Sequence, residues 1–360
     1  MQEWRGPRVG VALLALVWLG ACEFHVGPLQ KGPAGGAAAD GASSAPRGEV
    51  WAYTSIYQSV IEELDVLIAE ELPEVQVRWY RAGSEKVATR LDTELRAGGT
   101  QADLVLTSDP FWYRRLEKEG RLATHVNVPM LAMPRDYLDT KGHWSTCRVS
   151  TMVIAYHPDL IGGEALPKRF GDLVREDLAG KVTLGDPLSS GTHFTTTAFL
   201  SRRYGWDFYK TLRAQKALAS GGNSSVLRRI EGREYPVGVV LLESVLANQA
   251  KGSPVKYVVP EDGAVTIPGY AALLKTSDNP TAARAVYDLL LSEAGQRMMV
   301  KGYMHSALPG VPPPSGAPTF EEVSRGEFQW TPELIDAVQQ EAPKIKTTFD
   351  AIMNRGEEAP

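Results

Sequence analysis

One short segment near the middle of the chain, residues 185–192, reads Gly-Asp-Pro-Leu-Ser-Ser-Gly-Thr. It separates an apolar, strand-like run at residues 181–184 from a helix-like run that starts near His193. A helix that starts here leaves backbone N–H groups unpaired, and its dipole adds partial positive charge. The segment therefore predicts a site for an anion such as a carboxylate, phosphate or carbonate, although an ordinary helix cap after a glycine turn is the alternative. The predicted ligand-binding residues here are Ser189, Ser190, Gly191 and Thr192.

The first half of the folded region alternates strand-like and helix-like runs. The strands are predicted at 49–56, 75–80 and 102–107, and the helices at 57–72, 86–96 and 110–116. Three such units in succession predict an α/β fold with a mostly parallel sheet, and the loops after its strands line one ligand-binding edge. The candidate binding residues in these loops are Ser55, Tyr57, Ser84, Glu85 and Ser108, with Ser84 as a helix N-cap.

The second half contains another glycine- and serine-rich helix entrance, at residues 221–225. Its candidate binding residues are Asn223, Ser224 and Ser225. Strands are predicted at 152–156, 181–184, 237–242, 254–259 and 265–274, and helices at 169–176, 207–218, 226–231, 245–250, 281–300 and 332–352.

Several single residues allow two interpretations. Arg148 precedes an apolar strand and either pairs with an anion or forms a surface salt bridge. Glu243, at the tip of the strand at 237–242, either holds an ammonium or metal or stabilises a helix start. His193 either donates to a phosphate or faces solvent, and Trp112 and Tyr113 line the cleft or fill a core.

Composition excludes some classes of function. A formal net charge of -5 with scattered Lys and Arg gives no basic surface for nucleic acid. The two cysteines, Cys22 and Cys147, have no metal-ligand spacing, and Cys147 is expected to be a buried or half-buried thiol. Nucleotide-binding and hydrolase motifs are missing, and Ser189 and Ser190 have no recognisable base partner, so neither catalysis nor a cofactor is predicted.

The amino-terminal segment resembles a lipoprotein signal. Arg5 and Arg8 precede an apolar run at residues 9–19, which is short for a membrane span and suits a secretory signal. The run ends in Leu-Gly-Ala before Cys22, which resembles the lipobox at which bacteria acylate a cysteine. The expected arrangement is a signal peptide at 1–21, a lipid on Cys22 and a flexible tether at 22–48 rich in Gly, Ala, Pro and Ser.

The order of motifs resembles the family 1 extracellular solute-binding proteins of ABC importers, in the branch that binds ferric iron, phosphonates or sugar phosphates. The matching segments are residues 102–106, 185–192, 222–226 and 289–296. The resemblance implies an α/β fold of two lobes joined by a hinge, with the ligand clamped between them. The implied lobes are residues 49–147 with 261–308, and residues 148–260 with 309–360.

The resemblance implies a periplasmic, lipid-anchored monomer that binds a small anionic solute and delivers it to permease and ATPase subunits. Ferric binders of this family carry an adjacent tyrosine pair with a His and a Glu, because hard Fe(III) prefers oxygen ligands. The matching strand end here, residues 239–243, has no tyrosine, so Tyr57 and Glu85 would be the only side chains left as iron ligands, fewer than in the ferric binders. A phosphonate or phosphate ester is therefore favoured over ferric ion. A sensory binding subunit and a tethered hydrolase are further alternatives.

Overall fold

The computed structural model describes residues 45–325 and 330–356. The predicted signal segment, Cys22 and most of the tether lie outside the described residues. Within the described chain, the strands are β1 (Gly48–Thr54), β2 (Val75–Arg81), β3 (Leu104–Thr107), β4 (Ser145–Tyr156), β5 (Val182–Leu184), β6 (Leu218–Ala219), β7 (Val237–Leu241), β8 (Lys256–Val258) and β9 (Val265–Leu273). No described helix is both long enough and apolar enough to pass through a bilayer.

The α-helices follow the strands closely along the chain. They are α1 (Gln58–Glu71), α2 (Ser84–Arg96), α3 (Pro110–Lys118), α4 (Val128–Ala132), α5 (Gly191–Tyr204), α6 (Trp206–Ala214), α7 (Asn223–Glu231), α8 (Leu242–Gln249), α9 (Pro280–Leu291), α10 (Glu293–Lys301), α11 (Phe320–Ser324) and α12 (Pro332–Phe349), which runs on into a π-helical turn (Asp350–Arg355).

The strands form one sheet of two parallel parts joined by two long antiparallel strands. Its order is β2-β1-β3-β9-β4-β7-β5-β6, with β8 also beside β4. Strand β1 is parallel to β2 and β3, and β5 is parallel to β6 and β7. Strands β4 and β9 pair with each other and cross between the two parts. The predicted α/β fold of two lobes, each built on parallel strands, is confirmed.

Each lobe has its own apolar core. The first lobe consists of β1–β3 with α1–α3, α9 and α10; its cores contain Val50, Ile61 and Val286 on one side and Leu91 and Val105 on the other. The second lobe consists of β5–β7 with α5–α8, and α12 packs into its core through residues such as Ile335 and Phe349. An aromatic contact between the lobes is formed by Phe111 of α3, which packs against Phe194 and Trp330 of the second core.

Several sequence predictions need correction. The helix predicted at 281–300 is two helices, because Ser292 adopts an extended ψ of 163° and its Oγ accepts from Gly295 N. Residues 169–176 form a short 3₁₀ helix, Phe170–Val174, and not an α-helix. Strand β4 starts at Ser145 and not at residue 152, so it includes Arg148. Trp112 and Tyr113 are 4% and 0% exposed in the first-lobe core and do not line the cleft. Cys147 is a buried free thiol, as predicted.

Candidate functional site

The cleft between the lobes encloses a cavity of about 190 Å³, here called the interlobe cavity. The predicted binding residues that line it are Ser55, Tyr57, Ser84, Ser108, Arg148, Ser189, Ser190, Gly191, Thr192, Asn223 and Glu243. Five lining residues were not predicted: Gly83, Ser150, Gly222, Leu241 and Met304. The loops singled out from the sequence therefore converge on one space, although they come from both lobes.

Three predicted residues do not line the interlobe cavity. Glu85 lies one residue into α2 and accepts from Lys346 of α12 at 3.2 Å, so its carboxylate is used between the lobes. Ser224 is exposed and lines a neighbouring cavity. Ser225 lies one turn into α7, where its Oγ would be 2.5 Å from a Cβ at Gly221. The helix at this entrance starts earlier than predicted, so Gly222 and Asn223 face the cavity instead.

Five helices begin at the wall of this cavity. Their N-cap residues, Tyr57, Gly83, Ser190, Gly222 and Leu241, all line it. In four of them, α1, α2, α7 and α8, the side chain of the N-cap residue accepts no hydrogen bond from the first turn. Of the seven other described α-helices, α6 starts at Gly205 without a side-chain cap, and the remaining six are each capped by an Asp, Asn, Ser or Thr side chain: α3, α4, α9, α10, α11 and α12. Unpaired N–H groups and positive dipole ends are therefore concentrated where a ligand would sit.

The fifth helix start, at α5, carries a chain of hydrogen bonds. Ser190 Oγ accepts from His193 N at 3.4 Å and lies 3.2 Å from Thr192 Oγ1. Asn223 Nδ2 donates to Thr192 Oγ1 at 2.9 Å, and Leu241 N donates to Asn223 Oδ1 at 3.1 Å. These contacts fix the starts of α5, α7 and α8 relative to one another. The predicted motif at 185–192 is thus part of a wider polar wall.

Arg148 supplies the positive side chain of the cavity. It is 2% exposed, and its Nη2 donates to Ser55 Oγ at 3.1 Å and to Ser108 Oγ at 3.0 Å. The register between β4 and β9 shifts between Thr146 and Arg148, and such a bulge re-aims the side chain that follows. Gly269 on β9 makes room for it, since a Cβ there would lie 2.7 Å from Arg148 Cγ. Arg148 is therefore a buried cleft residue and not part of a surface salt bridge.

His193 does not reach the ligand space. It is 3% exposed and packs on Gly185, where a Cβ would lie 2.3 Å from His193 Nε2. Burial disfavours the imidazolium and lowers the pKa of His193 to about 4, with Arg229 acting in the same direction. The ring is therefore neutral at physiological pH and supports the helix start from behind.

A family model for bacterial extracellular solute-binding proteins matches residues 100–331, which is more than half of the chain. The chain belongs to this family. Among curated relatives of this solute-binding protein, an uncharacterized protein of Haemophilus influenzae (strain ATCC 51907 / DSM 11121 / KW20 / Rd) is 25% identical over 282 residues, 74% of this chain and 80% of the relative. A probable ABC transporter periplasmic-binding protein, y4fP of Sinorhizobium fredii (strain NBRC 101917 / NGR234), is 26% identical over 44% of this chain and 46% of its own length.

Solved structures share the fold of the solute-binding protein. Iron-bound HitA from Pseudomonas aeruginosa superposes with a TM-score of 0.74 at 19% identity, covering 84% of this chain and 99% of HitA. AfuA from Actinobacillus pleuropneumoniae, a periplasmic binding protein with exogenous fructose-6-phosphate bound, superposes with a TM-score of 0.73 at 19% identity, covering 86% of this chain and 99% of AfuA. At this identity the likeness establishes the fold alone.

One acidic side chain, Glu243, faces the cavity of the solute-binding protein. It is 2% exposed, and burial raises the pKa of its carboxyl to about 7, although Ser150, the Thr151 backbone and Arg148 favour the charged form. Tyr57 is 38% exposed, and desolvation together with the charge of Glu243 raises the pKa of its phenol, which stays protonated. Among the described residues, the side chains with metal-ligand spacing are Glu117, Asp139 and His143, and none of them lines the interlobe cavity.

A second space, here called the outer cavity, adjoins the first. Its volume is about 480 Å³, and Tyr57 and Glu243 line both cavities. Tyr57 Oη and Ser244 Oγ lie 3.5 Å apart across the cleft. Charged side chains at the outer cavity are Arg228, Glu231, Lys251 and Lys301. The interlobe cavity thus has room beside it for the remainder of a larger solute.

Proposed function

We propose that this protein is the solute-binding component of an ABC importer and that it captures a small anionic solute, a phosphonate or phosphate ester, in the interlobe cavity. The convergence of five helix starts, four of them without a side-chain cap, carries the proposal. Backbone N–H groups at helix ends bind anions without basic side chains. Arg148 adds one buried guanidinium with hydrogen-bond donors to spare.

We infer that the solute is captured by closure of the two lobes around it, because both lobes line the interlobe cavity. The proposed lobes are residues 49–147 with 261–308, and 148–260 with 309–360. The first contributes α1, α2, Ser55 and Ser108, and the second contributes α5, α7 and α8. A ligand that bridges them favours the closed arrangement by its differential affinity. Delivery to permease and ATPase subunits would follow reopening.

Native mass spectrometry of the purified protein tests the ligand class. We expect a bound mass that matches a phosphorus-containing anion, and calorimetry with that compound should give one site for each chain. A neutral bound solute, or a purely cationic one, would contradict the proposal.

We propose that the protein binds its solute without transforming it. Ser189 Oγ donates to Asp186 O, and Ser190 Oγ contacts Thr192 and His193 N. Neither hydroxyl has a hydrogen bond to a histidine ring or carboxylate side chain within the described part of the chain. We therefore expect the bound compound to be recovered unchanged after prolonged incubation. Release of inorganic phosphate would favour a hydrolase.

Ferric ion is the second candidate, because Tyr57 and Glu243 offer two oxygen ligands to one cavity. HitA was solved with iron bound. Against it, Glu85 is held by Lys346 and the tyrosine pair is missing. We expect no tyrosinate-to-iron colour on adding a chelated ferric salt. A visible band that disappears in Tyr57→Phe would favour iron.

We propose that the protein works as a monomer in the periplasm, held to a membrane by a lipid on Cys22. The support is the apolar segment at residues 9–19 and the small residues before Cys22. In detergent-free fractionation, Cys22→Ser should move the protein from the membrane to the soluble fraction or block its processing. A variant that stays with the membrane would contradict lipid anchoring.

A further inference from the structure

The outer cavity has two tyrosine side chains on the part of its wall that the first lobe forms. Tyr57 is the N-cap of α1 and is 38% exposed, and Tyr303 lies just after α10 and is half-buried. A Cβ at Gly302 would lie 2.2 Å from Val60 Cγ2, so the end of α10 packs closely against the start of α1. Within the described chain, neither tyrosine ring contacts another aromatic ring. Both rings are therefore available to a ligand in this cavity.

Tyr303 adopts a backbone conformation that is rare for a tyrosine. Its φ is 65°, in the left-handed region, whereas Gly302 just before it has a φ of −81°. Helices that end in this way usually carry glycine or asparagine at the left-handed position, because a Cβ is crowded there. The ring packs against the small apolar cluster that contains Leu242 and Leu246 of α8, and this contact holds it at the cavity wall. A bulky residue kept in a strained conformation points to a role for its side chain.

The part of the wall that the second lobe forms carries cations. Arg228 of α7 and Lys251, which follows α8, are exposed and line the outer cavity, as does Glu231 one turn further along α7. Neither cation forms an ion pair within 4.0 Å among the residues that the structure describes, whereas Lys301 pairs with Glu63 at 2.7 Å. A cation is attracted to the face of an aromatic ring, and a guanidinium also stacks on it.

We propose that the solute is a phosphate ester or phosphonate whose organic part is a flat aromatic ring system. The anion lies in the interlobe cavity, and the ring lies in the outer cavity between the tyrosines of the first lobe and Arg228 of the second. This inference rests on the proposed capture of an anion, and it goes further by naming the other half of the solute.

The volumes of the two cavities fit this division of the solute. The interlobe cavity, at about 190 Å³, holds roughly six water molecules, so a phosphoryl group fills most of it. The outer cavity, at about 480 Å³, holds roughly sixteen, which is room for one or two fused rings. Because Tyr57 and Glu243 line both cavities, one ester can extend from the first into the second.

The positions of the stacking groups also connect ring binding to closure. Tyr57 and Tyr303 belong to the first lobe and Arg228 to the second, so the ring has a partner on each face only in the closed cleft. Stacking therefore adds to the preference of the solute for the closed state. A puckered ring of the same size fills the same space and offers no π face to either partner.

Phenyl phosphate and cyclohexyl phosphate form the matched pair of probes. They carry the same anion on rings of similar size, and burial of apolar surface alone would not favour the phenyl ring. Calorimetry on ligand-free protein prepared by dialysis compares them with methyl phosphate, which reports anion capture alone, and with 3-phosphoglycerate, which offers a second anionic group to the cations. We expect phenyl phosphate to bind about tenfold or more tightly than cyclohexyl phosphate, and more tightly than 3-phosphoglycerate.

The variants assign the preference to particular side chains. Tyr303→Leu removes the ring and keeps apolar bulk, so the preference for phenyl over cyclohexyl phosphate should fall to about threefold or less. Tyr303→Phe keeps the ring and should retain the preference. Arg228→Met removes the guanidinium from the second-lobe wall and should also reduce the preference. Its control is Arg213→Met, which changes an exposed arginine of the same lobe outside both cavities and should leave the preference unchanged.

Every outcome of these titrations bears on the proposal. Equal or tighter binding of cyclohexyl phosphate by wild type overturns the aromatic ring and leaves anion capture standing, provided that methyl phosphate binds. Tighter binding of 3-phosphoglycerate than of phenyl phosphate also overturns it, because the cations then serve a second anion. Failure of wild type to bind any of the four probes overturns anion capture and this inference with it. The wild-type comparison decides even if Tyr303→Leu does not fold.

Discussion

At Gly191 the second lobe lies close to the first beside the proposed anion site, and a larger side chain there should hold the cleft open. A Cβ at Gly191 would lie 3.6 Å from Ser108 O and 3.6 Å from Ser84 Cβ, both on the first lobe. Alanine therefore fits at ordinary contact distance. Valine adds two γ carbons about 1.5 Å beyond that Cβ, into space that the closed lobes occupy. The backbone at Gly191 is not in the positive-φ region, so the turn itself tolerates either residue.

Gly191→Val should raise the free energy of the closed state and leave that of the open state unchanged. Overpacking costs about 1 to 3 kcal/mol, which corresponds to roughly fivefold to 150-fold weaker ligand binding. Gly191→Ala is the matched control and should bind within about threefold of wild type, because one methyl group at van der Waals distance costs little. The thermal stability of the ligand-free valine variant should stay close to wild type.

Calorimetry and small-angle scattering test this with the anion that native mass spectrometry identifies. Ligand should reduce the radius of gyration of wild type and Gly191→Ala, and of Gly191→Val only at much higher concentration. The reasoning fails if Gly191→Val binds and closes like wild type, because the lobes then do not meet at this residue. It also fails if Gly191→Ala is as weak as Gly191→Val.

Three further predictions concern the walls of the cavity. Ser190→Ala should weaken anion binding by about tenfold, and Thr192→Ala by more, because Thr192 Oγ1 also accepts a hydrogen bond from Asn223. Calorimetry measures both affinities. If both were unchanged, residues 185–192 would be an ordinary helix cap. Ligand-free wild type should lose stability as pH rises from about 4.5 to about 7, the interval over which Glu243 is protonated in the folded state and ionised in the unfolded one. Glu243→Gln should therefore be more stable by up to roughly 3 kcal/mol at pH 8 and equal to wild type at pH 4, as measured by denaturant unfolding; equal stability at both pH values would mean that the carboxyl is not desolvated. Lys346→Met should weaken binding by at most about fivefold in calorimetry, since its pair with Glu85 is about a third exposed; a larger loss would mean that this pair controls closure.

The sequence predicts most of the site because strand-to-helix transitions are local. Ser55, Ser84, Ser108 and Thr192 were found from runs of apolar residues that end in small polar ones, and loops after parallel strands meet at one edge. Ser150 had a usable signal, since it lies two residues after Arg148 on the same strand and so on the same face. Gly83 and Gly222 are helix N-caps in the structure, whereas the sequence predicts the first N-cap at Ser84 and the start of the second helix at residue 226.

Other features depend on contacts between distant segments. Glu85 points to Lys346, 261 residues later, and no local pattern predicts that pair. The bulge that aims Arg148 depends on its register with Gly269, and Met304 reaches the cavity from the segment after α10. The sequence predicts one helix at 281–300 because its apolar periodicity continues through Ser292. The helix break depends on this single residue, which acts as the N-cap of α10.

The hydrogen-bond donors for the anion are divided between the two lobes, and this division determines how much of the binding free energy is gained only when the cleft closes. To shift the closed population from about 1% to about 99%, a ligand must bind the closed state more tightly than the open state by about 5.5 kcal/mol. A charge-assisted hydrogen bond contributes about 1.5 to 3 kcal/mol, so two to four bonds made only on closing are enough. The second lobe alone offers the ends of α5, α7 and α8, and closing adds the ends of α1 and α2 with the hydroxyls of Ser55 and Ser108. One lobe can therefore hold the anion first, and the donors of the other supply the closing energy. When the cleft opens, the anion loses its contacts with α1, α2, Ser55 and Ser108. It can then leave the second lobe without a change in the structure of that lobe.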